Sequence, residues 1–196
     1  MADPFPTLAL LLLLAGPAGA AGAATVLSVG DGDTLRVDEG GSLRTVRLAC
    51  IDAPETAQRP YGAASRQRLQ ELAPVGSVVT LRPQTIDRYG RTVAEVFRNG
   101  QSVNLMMVFS GQAFAYRQHL GTCNRPAYLE AEATAQRQMI GVWAVAGGLQ
   151  RPWDWRNGVR LSCQQIGSYA RAQELLRQGH TYLDKNGDGI ACETLR

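Results

Sequence analysis

The stretch "TVRLACIDAPET", residues 45–56, starts as a buried strand and ends in an acidic corner. Val46, Leu48, Ala49, Cys50 and Ile51 make an apolar run that is broken once, by Arg47. Just past it stand two carboxylates, Asp52 and Glu55, with Ala53 and Pro54 between them. Charge at the end of a core strand carries a desolvation penalty, so three charged groups there need a common reason. Strict alternation puts Val46, Leu48, Cys50 and Asp52 on one face of the strand and Arg47 on the other. Arg47 and Asp52 converge only if the strand curls or stops before Asp52. Pro54 predicts a stop near Ala53.

Upstream, residues 25–30 read as a short strand, Asp31-Gly32 as a turn, 34–37 as a second strand and Glu39-Gly40-Gly41 as another turn. Downstream, Ala64, Leu69 and Leu72 give helical spacing over 61–73. Strands are expected over 75–82 and 92–98, and helices over 103–110, closed by Gly111, and over 127–139, ended near Gly141. Three strands, a helix, two strands and two helices predict an α+β chain. Its core is a five-stranded OB-type β-barrel with three helices.

Oxygen ligands define the chemistry of the corner. Asp33 follows the Asp31-Gly32 turn and Asp52 ends the third strand. Carboxylates on neighbouring strand ends suit a hard cation such as calcium, which accepts about 6–8 oxygens and leaves places for a phosphate oxygen and a water. Arg47 and Arg91, the latter in "DRYGR" (residues 87–91), supply positive charge for a phosphodiester as it gains charge under attack. Glu55 is available to orient or deprotonate that water. Taken singly, Asp31 and Asp33 are hairpin-turn residues, Arg47 a strand-surface residue and Glu55 a helix cap. Turn chemistry does not require an arginine inside an apolar strand, so the set carries the signal.

The chain has 196 residues, 45 % of them hydrophobic, enough for one compact core with a small appendage. Its formal charge is +3, nearly all the positive charge being arginine, with Lys185 the only lysine. Arginine-rich basic character fits a polyanion partner. Residues 1–24, with the apolar run "LALLLLLAGPAGAAGAA", read as an export signal; Ala18-Gly19-Ala20 and Ala21-Gly22-Ala23 are both candidate processing sites. The strongly apolar part is shorter than the ~20 residues of a membrane span. Removing 1–24 takes away Asp3 and raises the net charge from +3 to +4. Cys50, Cys123, Cys163 and Cys192 then predict disulfides, in one of three pairings. Residues 25–144 form the barrel domain and 145–160, with Trp153 and Trp155, a linker that partly packs back. Residues 161–196 are a unit too small for a sizeable core, with one helix over 169–177. Such a unit needs a staple; Cys163–Cys192 would provide it, leaving Cys50–Cys123 for the barrel.

"DGDT" (31–34), "VRLACIDAPET" and "DRYGR", in this order and spacing, resemble the thermonuclease family typified by staphylococcal nuclease; the similarity continues through "GQAFAY" (111–116) and "AEATAQRQMIGVW" (131–143). The resemblance implies an exported calcium-dependent nuclease that hydrolyses DNA and RNA to 3′-phosphate ends. Asp33, Asp52 and the carbonyl of Ala53 would bind calcium, with Asp31 behind them. Ala53 stands where the founding member has threonine, and the carbonyl survives that change. Glu55 would orient or deprotonate water, Arg47 and Arg91 would clamp the phosphoryl group, and Arg88, Tyr89 and Tyr116 would line the nucleotide site.

"DKNGDGIACE" (184–193) resembles the excalibur domain, an extracellular calcium-binding module. The resemblance implies calcium at Asp184, Asn186, Asp188 and Glu193, with Asn186 replacing an acid of the pattern. The expected protein is a secreted or periplasmic monomer, free of the membrane once its signal is removed. The alternative is a non-catalytic barrel that binds nucleic acid or a partner and carries a calcium-binding surface module.

Overall fold

The computed structural model describes residues 22–145, 147–178 and 180–196. Most of the export signal, residues 1–21, lies outside the described residues. The barrel domain runs β1 (Gly22–Val29), β2 (Thr34–Glu39), β3 (Ser42–Leu48), β4 (Ile51–Asp52), α1 (Tyr61–Leu72), β5 (Val78–Ile86), β6 (Thr92–Arg98), β7 (Gln101–Ser102), α2 (Val103–Phe109), β8 (Phe114–Ala115) and α3 (Arg125–Arg137). Three short helices follow: α4 (Pro152–Arg156), α5 (Cys163–Ile166) and α6 (Tyr169–Arg177).

The main sheet has the order β3-β2-β1-β5-β6-β7, and a further pairing of β3 with β6 closes it. All neighbours are antiparallel except that closing pair, which is parallel and sets Val46 opposite Thr92 and Arg47 opposite Val93. The result is the expected five-stranded barrel of β1, β2, β3, β5 and β6. Alternating residues point inward, so Val26, Leu35, Val37, Val46, Leu48, Val79, Leu81, Ala94 and Val96 are all buried. Leu69 of α1, Met107 and Val108 of α2 and Tyr128 of α3 complete the same core. Asn104, fully buried on α2, accepts from the Val96 N–H and donates to the carbonyls of Ala49 and Ala94, at 2.9, 2.9 and 3.1 Å. It thereby ties the helix to β6 and to the chain leaving β3.

Boundaries differ from the sequence reading where local chemistry intervenes. β1 begins at Gly22, inside the segment 1–24, and residues 22–24 pair with Leu81, Thr80 and Val79. β5 begins at Val78 rather than 75, because Val75 is exposed in a turn in which the Ser77 N–H donates to the Pro74 carbonyl at 3.0 Å. It continues past Pro83, where a shift in register spares the ladder an N–H that proline lacks. α3 begins two residues early, at Arg125: the Asn124 side chain accepts from the Ala127 N–H and Pro126 occupies the first turn. The segment 145–160 is more than a linker, since α4 lies within it.

Both disulfides form, Cys50–Cys123 in the barrel domain and Cys163–Cys192 in the C-terminal module. The module's core is small: Ile166, Ala172, Leu175, Leu183 and Ala191. Ser162 and Gln165 form a capping box at the start of α5. His180 is buried where the module meets the preceding segment, its ring edge-on to Trp155 at 4.7 Å and to Tyr182 at 5.6 Å. Burial pushes its pKa below the ordinary 6.5. The unfolded chain therefore takes up the proton first. The stability His180 contributes is intact above pH 6.5 and is lost as pH falls from there through the folded pKa. Urea unfolding at pH 7.5 and pH 5 should show that loss, and His180→Phe should flatten it.

Candidate active site

The acidic corner is assembled from two turns. The first contains Asp31, Gly32 and Asp33. The Asp33 N–H donates to Asp31 Oδ1 at 3.0 Å, fixing the turn. A Cβ on Gly32 would lie 1.9 Å from Ser65 Oγ and 2.7 Å from Ala53 Cβ, so only glycine lets the turn press against the end of the acidic stretch. Asp33 Oδ2 then accepts from the Ala53 N–H at 2.9 Å, and its carbonyl accepts from the Leu48 N–H at 2.8 Å. Burial, then repulsion from Asp33, raises the pKa of Asp31. Gly32→Ala should destabilise the fold by about 1–3 kcal/mol, the usual cost of overpacking, as measured by urea unfolding.

The second turn brings Arg47 and Asp52 together, by a route other than the one expected from Pro54. β3 ends at Leu48 and Cys50 adopts a left-handed backbone with φ of 67°. That single residue breaks the alternation and swings Ile51 and Asp52 into the separate short strand β4, paired with β8. Arg47 now reaches both acids: Nη1 is ion-paired with Asp33 Oδ1, and Nη2 lies 2.6 Å from Asp52 Oδ1. Asp52 is wholly buried and Asp33 nearly so, and their pull outweighs burial to raise the pKa of Arg47 further above its ordinary value.

Glu55 lies just beyond, with one third of its side chain exposed. Its backbone N–H donates to the side chain of Gln58 at 3.0 Å, and its carboxylate contacts Arg156 of α4 at 2.6 Å. The carboxylate caps no helix, since α1 is preceded by Pro60 with no side-chain cap. The same guanidinium grips Asp52, with Nη2 2.7 Å from Oδ2 and Nη1 3.2 Å from Oδ1.

A cavity of about 450 Å³ opens beside Arg47, lined among others by Gln84, Asp87, Val93, Tyr116 and His119. Arg91 is held at 2.7 Å by Asp87, which lines the cavity, and among the described contacts it makes none with Asp33, Asp52 or Glu55. The parallel register still puts its turn next to the Arg47 strand, because the following residue, Thr92, pairs with Val46. Arg88 donates to the Tyr89 hydroxyl at 2.6 Å and lies over its ring; both stand exposed on the 87–90 turn. Tyr116 borders the cavity, but Trp153 stacks on it at 5.0 Å with ring planes 2° apart, and His119 meets it edge-on at 4.5 Å.

The oxygen-only donor set of the corner, Asp33, Asp52 and the Ala53 carbonyl, fits a hard cation, and the two guanidiniums drawn onto Asp52 report how strongly it attracts positive charge. Among the described residues no three His, Cys, Asp or Glu side chains gather as an all-protein metal cluster. In the module, Asp184 accepts from the N–H groups of Gly187 and Gly189, and Asp188 from that of Ile190. The Asn186 amide nitrogen donates to Asp188 and Glu193, at 3.0 and 3.1 Å, and so links these two carboxylates.

Residues that the sequence reading passed over position this site. Gln58, fully buried, accepts from Glu55 and donates to the Gln150 carbonyl at 2.9 Å, and Gln150 in turn holds the Val159 carbonyl at 2.8 Å. Glu132 of α3 accepts from the Ala115 N–H at 3.1 Å and from Arg117 at 2.6 Å, fixing β8 under Asp52. An acid at a buried helical position in "AYLEAEAT" was the available sign for Glu132. Arg156 had only the unusual "RPWDWR" to mark it.

A barrel of this topology with paired acids and an arginine at its mouth defines a class, and the comparisons agree with it. Residues 45–145 match the model of the staphylococcal nuclease homologue family, and residues 160–193 that of the Excalibur calcium-binding domain. The chain is 38 % identical over 138 residues to an "Uncharacterized endonuclease" of Haemophilus influenzae, covering 70 % of this chain and 74 % of that protein. It is 37 % identical over 157 residues to a "Micrococcal nuclease" of Shigella flexneri, covering 76 % and 88 %. The chain belongs to the staphylococcal nuclease homologue family and carries an Excalibur domain at its C-terminal end.

Proposed function

We propose that this protein is an exported calcium-dependent nuclease that hydrolyses phosphodiester bonds of DNA and RNA and leaves 3′-phosphate ends. The observation that carries the reading is the convergence of Asp33 and Asp52 on Arg47, with Glu55 beside them, where Arg47 also lines a cavity of about 450 Å³. Asp33, Asp52 and the Ala53 carbonyl would hold calcium, which supplies charge to stabilise a phosphorane-like transition state when bound. Arg47 offers its planar fork to the phosphoryl oxygens from a position fixed by two buried acids. Glu55, less buried than either, orients the attacking water and takes its proton. Arg91 completes the clamp from the neighbouring turn by exchanging its bond to Asp87 for one to substrate. Arg88 and Tyr89 meet the strand at the rim, and Tyr116 meets it with the ring edge that Trp153 and His119 leave toward the cavity.

In the module, Asp184, Asn186, Asp188 and Glu193 would bind a second calcium. The Excalibur match and two disulfides support a periplasmic or extracellular location for a monomer. Pairing of residues 22–24 in β1 favours processing after Ala20 over processing after Ala23, which would strip the strand of its first two residues.

Denatured DNA incubated with the secreted protein should be degraded in calcium and spared in chelator, with products that a 3′-phosphatase renders extendable. DNA that is retarded in a gel but never shortened would instead establish the binding protein.

A further inference from the structure

Arg156 lies outside every motif that defines the site, yet it holds both Asp52 and Glu55. It comes from α4, a five-residue helix whose approach is secured at several points. Pro152 is buried, Trp153 stacks on Tyr116 and meets Phe114 edge-on at 6.2 Å, and the Gln58–Gln150–Val159 chain of hydrogen bonds runs beneath. From this base the guanidinium takes Asp52 through both oxygens and Glu55 through one. A carboxylate gripped through both oxygens by the two terminal nitrogens of a guanidinium has committed a lone pair of each oxygen. The carboxylate needed for calcium and the carboxylate needed for water are thus both occupied by one side chain.

We propose that Arg156 is a tethered cation that closes the acidic corner in the metal-free protein, and that it must release Asp52 before calcium can bind there. The inference rests on the calcium assignment made above. Arg156 and the metal compete for one carboxylate: with Arg47 already on Asp52 Oδ1, Arg156 engages that oxygen and also Oδ2. Departure of Arg156 also frees Glu55. Metal loading and unmasking of the base are then one event, and α4 acts as a strap whose hold on the barrel end, through Trp153, survives while its charged end lets go.

Calorimetric calcium titration of the full chain, carrying Asp188→Asn to remove the module's contribution, would be compared with and without Arg156→Gln. Loss of the competing cation should tighten binding roughly tenfold, within the range usual for two coupled ligands. In chelator the Arg156→Gln chain should melt lower than its parent, and saturating calcium should close the gap. Unchanged or weaker calcium affinity would overturn the proposal. Hydrogen exchange on the unaltered chain gives a second reading that needs no substitution. Amides over 154–158 should exchange faster in calcium than in chelator, and equal or slower exchange would count against release. A parallel digestion keeps the two ideas separate. Tighter calcium binding in the Arg156→Gln chain, with a parent that leaves DNA intact, removes the nuclease and keeps the Arg156 competition, while cleavage by the parent with affinity unchanged by the substitution does the reverse.

Discussion

Exchange of Glu55 for glutamine is expected to leave a folded protein whose turnover falls by about two orders of magnitude or more, the loss typical of a removed general base. The fold should survive because the Glu55 side chain is one-third exposed and packs in no core cluster. What holds the loop is backbone: the Glu55 N–H on Gln58 and the Gln58 N–H on the Glu55 carbonyl, neither touched by the substitution. The glutamine keeps the shape and one acceptor but cannot take a proton. kcat should fall while KM for a short oligonucleotide stays close to that of the parent, and single-turnover digestion measures both. A parallel rise in KM would mean that Glu55 binds substrate and that another group activates the water.

Replacement of Arg47 should be the other severe change, and it separates charge from geometry. Arg47→Lys keeps a cation between Asp33 and Asp52 but has one ammonium where two nitrogens now serve two acids. Cleavage should fall about 10²- to 10³-fold, as when a single transition-state donor is removed. Stability should change far less. Arg47→Ala leaves two buried carboxylates facing each other without their shared partner, and should cost about 3–5 kcal/mol by urea unfolding in chelator. Calcium should restore part of that, because a divalent cation replaces the missing charge between the same oxygens.

The barrel was legible because its evidence is periodic. Alternation from Val26 through Val96 and turn dipeptides between strands locate the strands along the chain without knowledge of any distant contact. Helix ends were less so, since Asn124 and Pro126 had to be read as a cap ahead of the apolar pattern. At the site, the residue types were legible and their meeting was not. Nothing local announces that Cys50 is left-handed, yet that residue alone turns Asp52 toward Arg47. Arg156 was hidden for another reason: its partners are 101 and 104 positions away, and a short arginine-bearing helix among glycines reads as connection. Buried Gln58, Asn104 and Glu132 were invisible likewise, because a polar residue in a sequence declares its hydrogen-bonding capacity but not its partner.

The seam that shuts the cylinder runs through Arg47 itself, set against Val93 in the parallel pairing of β3 with β6. Asp33, Arg47 and Asp52 already meet through the β2–β3 hairpin and the Cys50 turn, so what the seam adds is the turn that carries Arg91. A site built this way keeps half of its proposed clamp unplaced until the last strand docks.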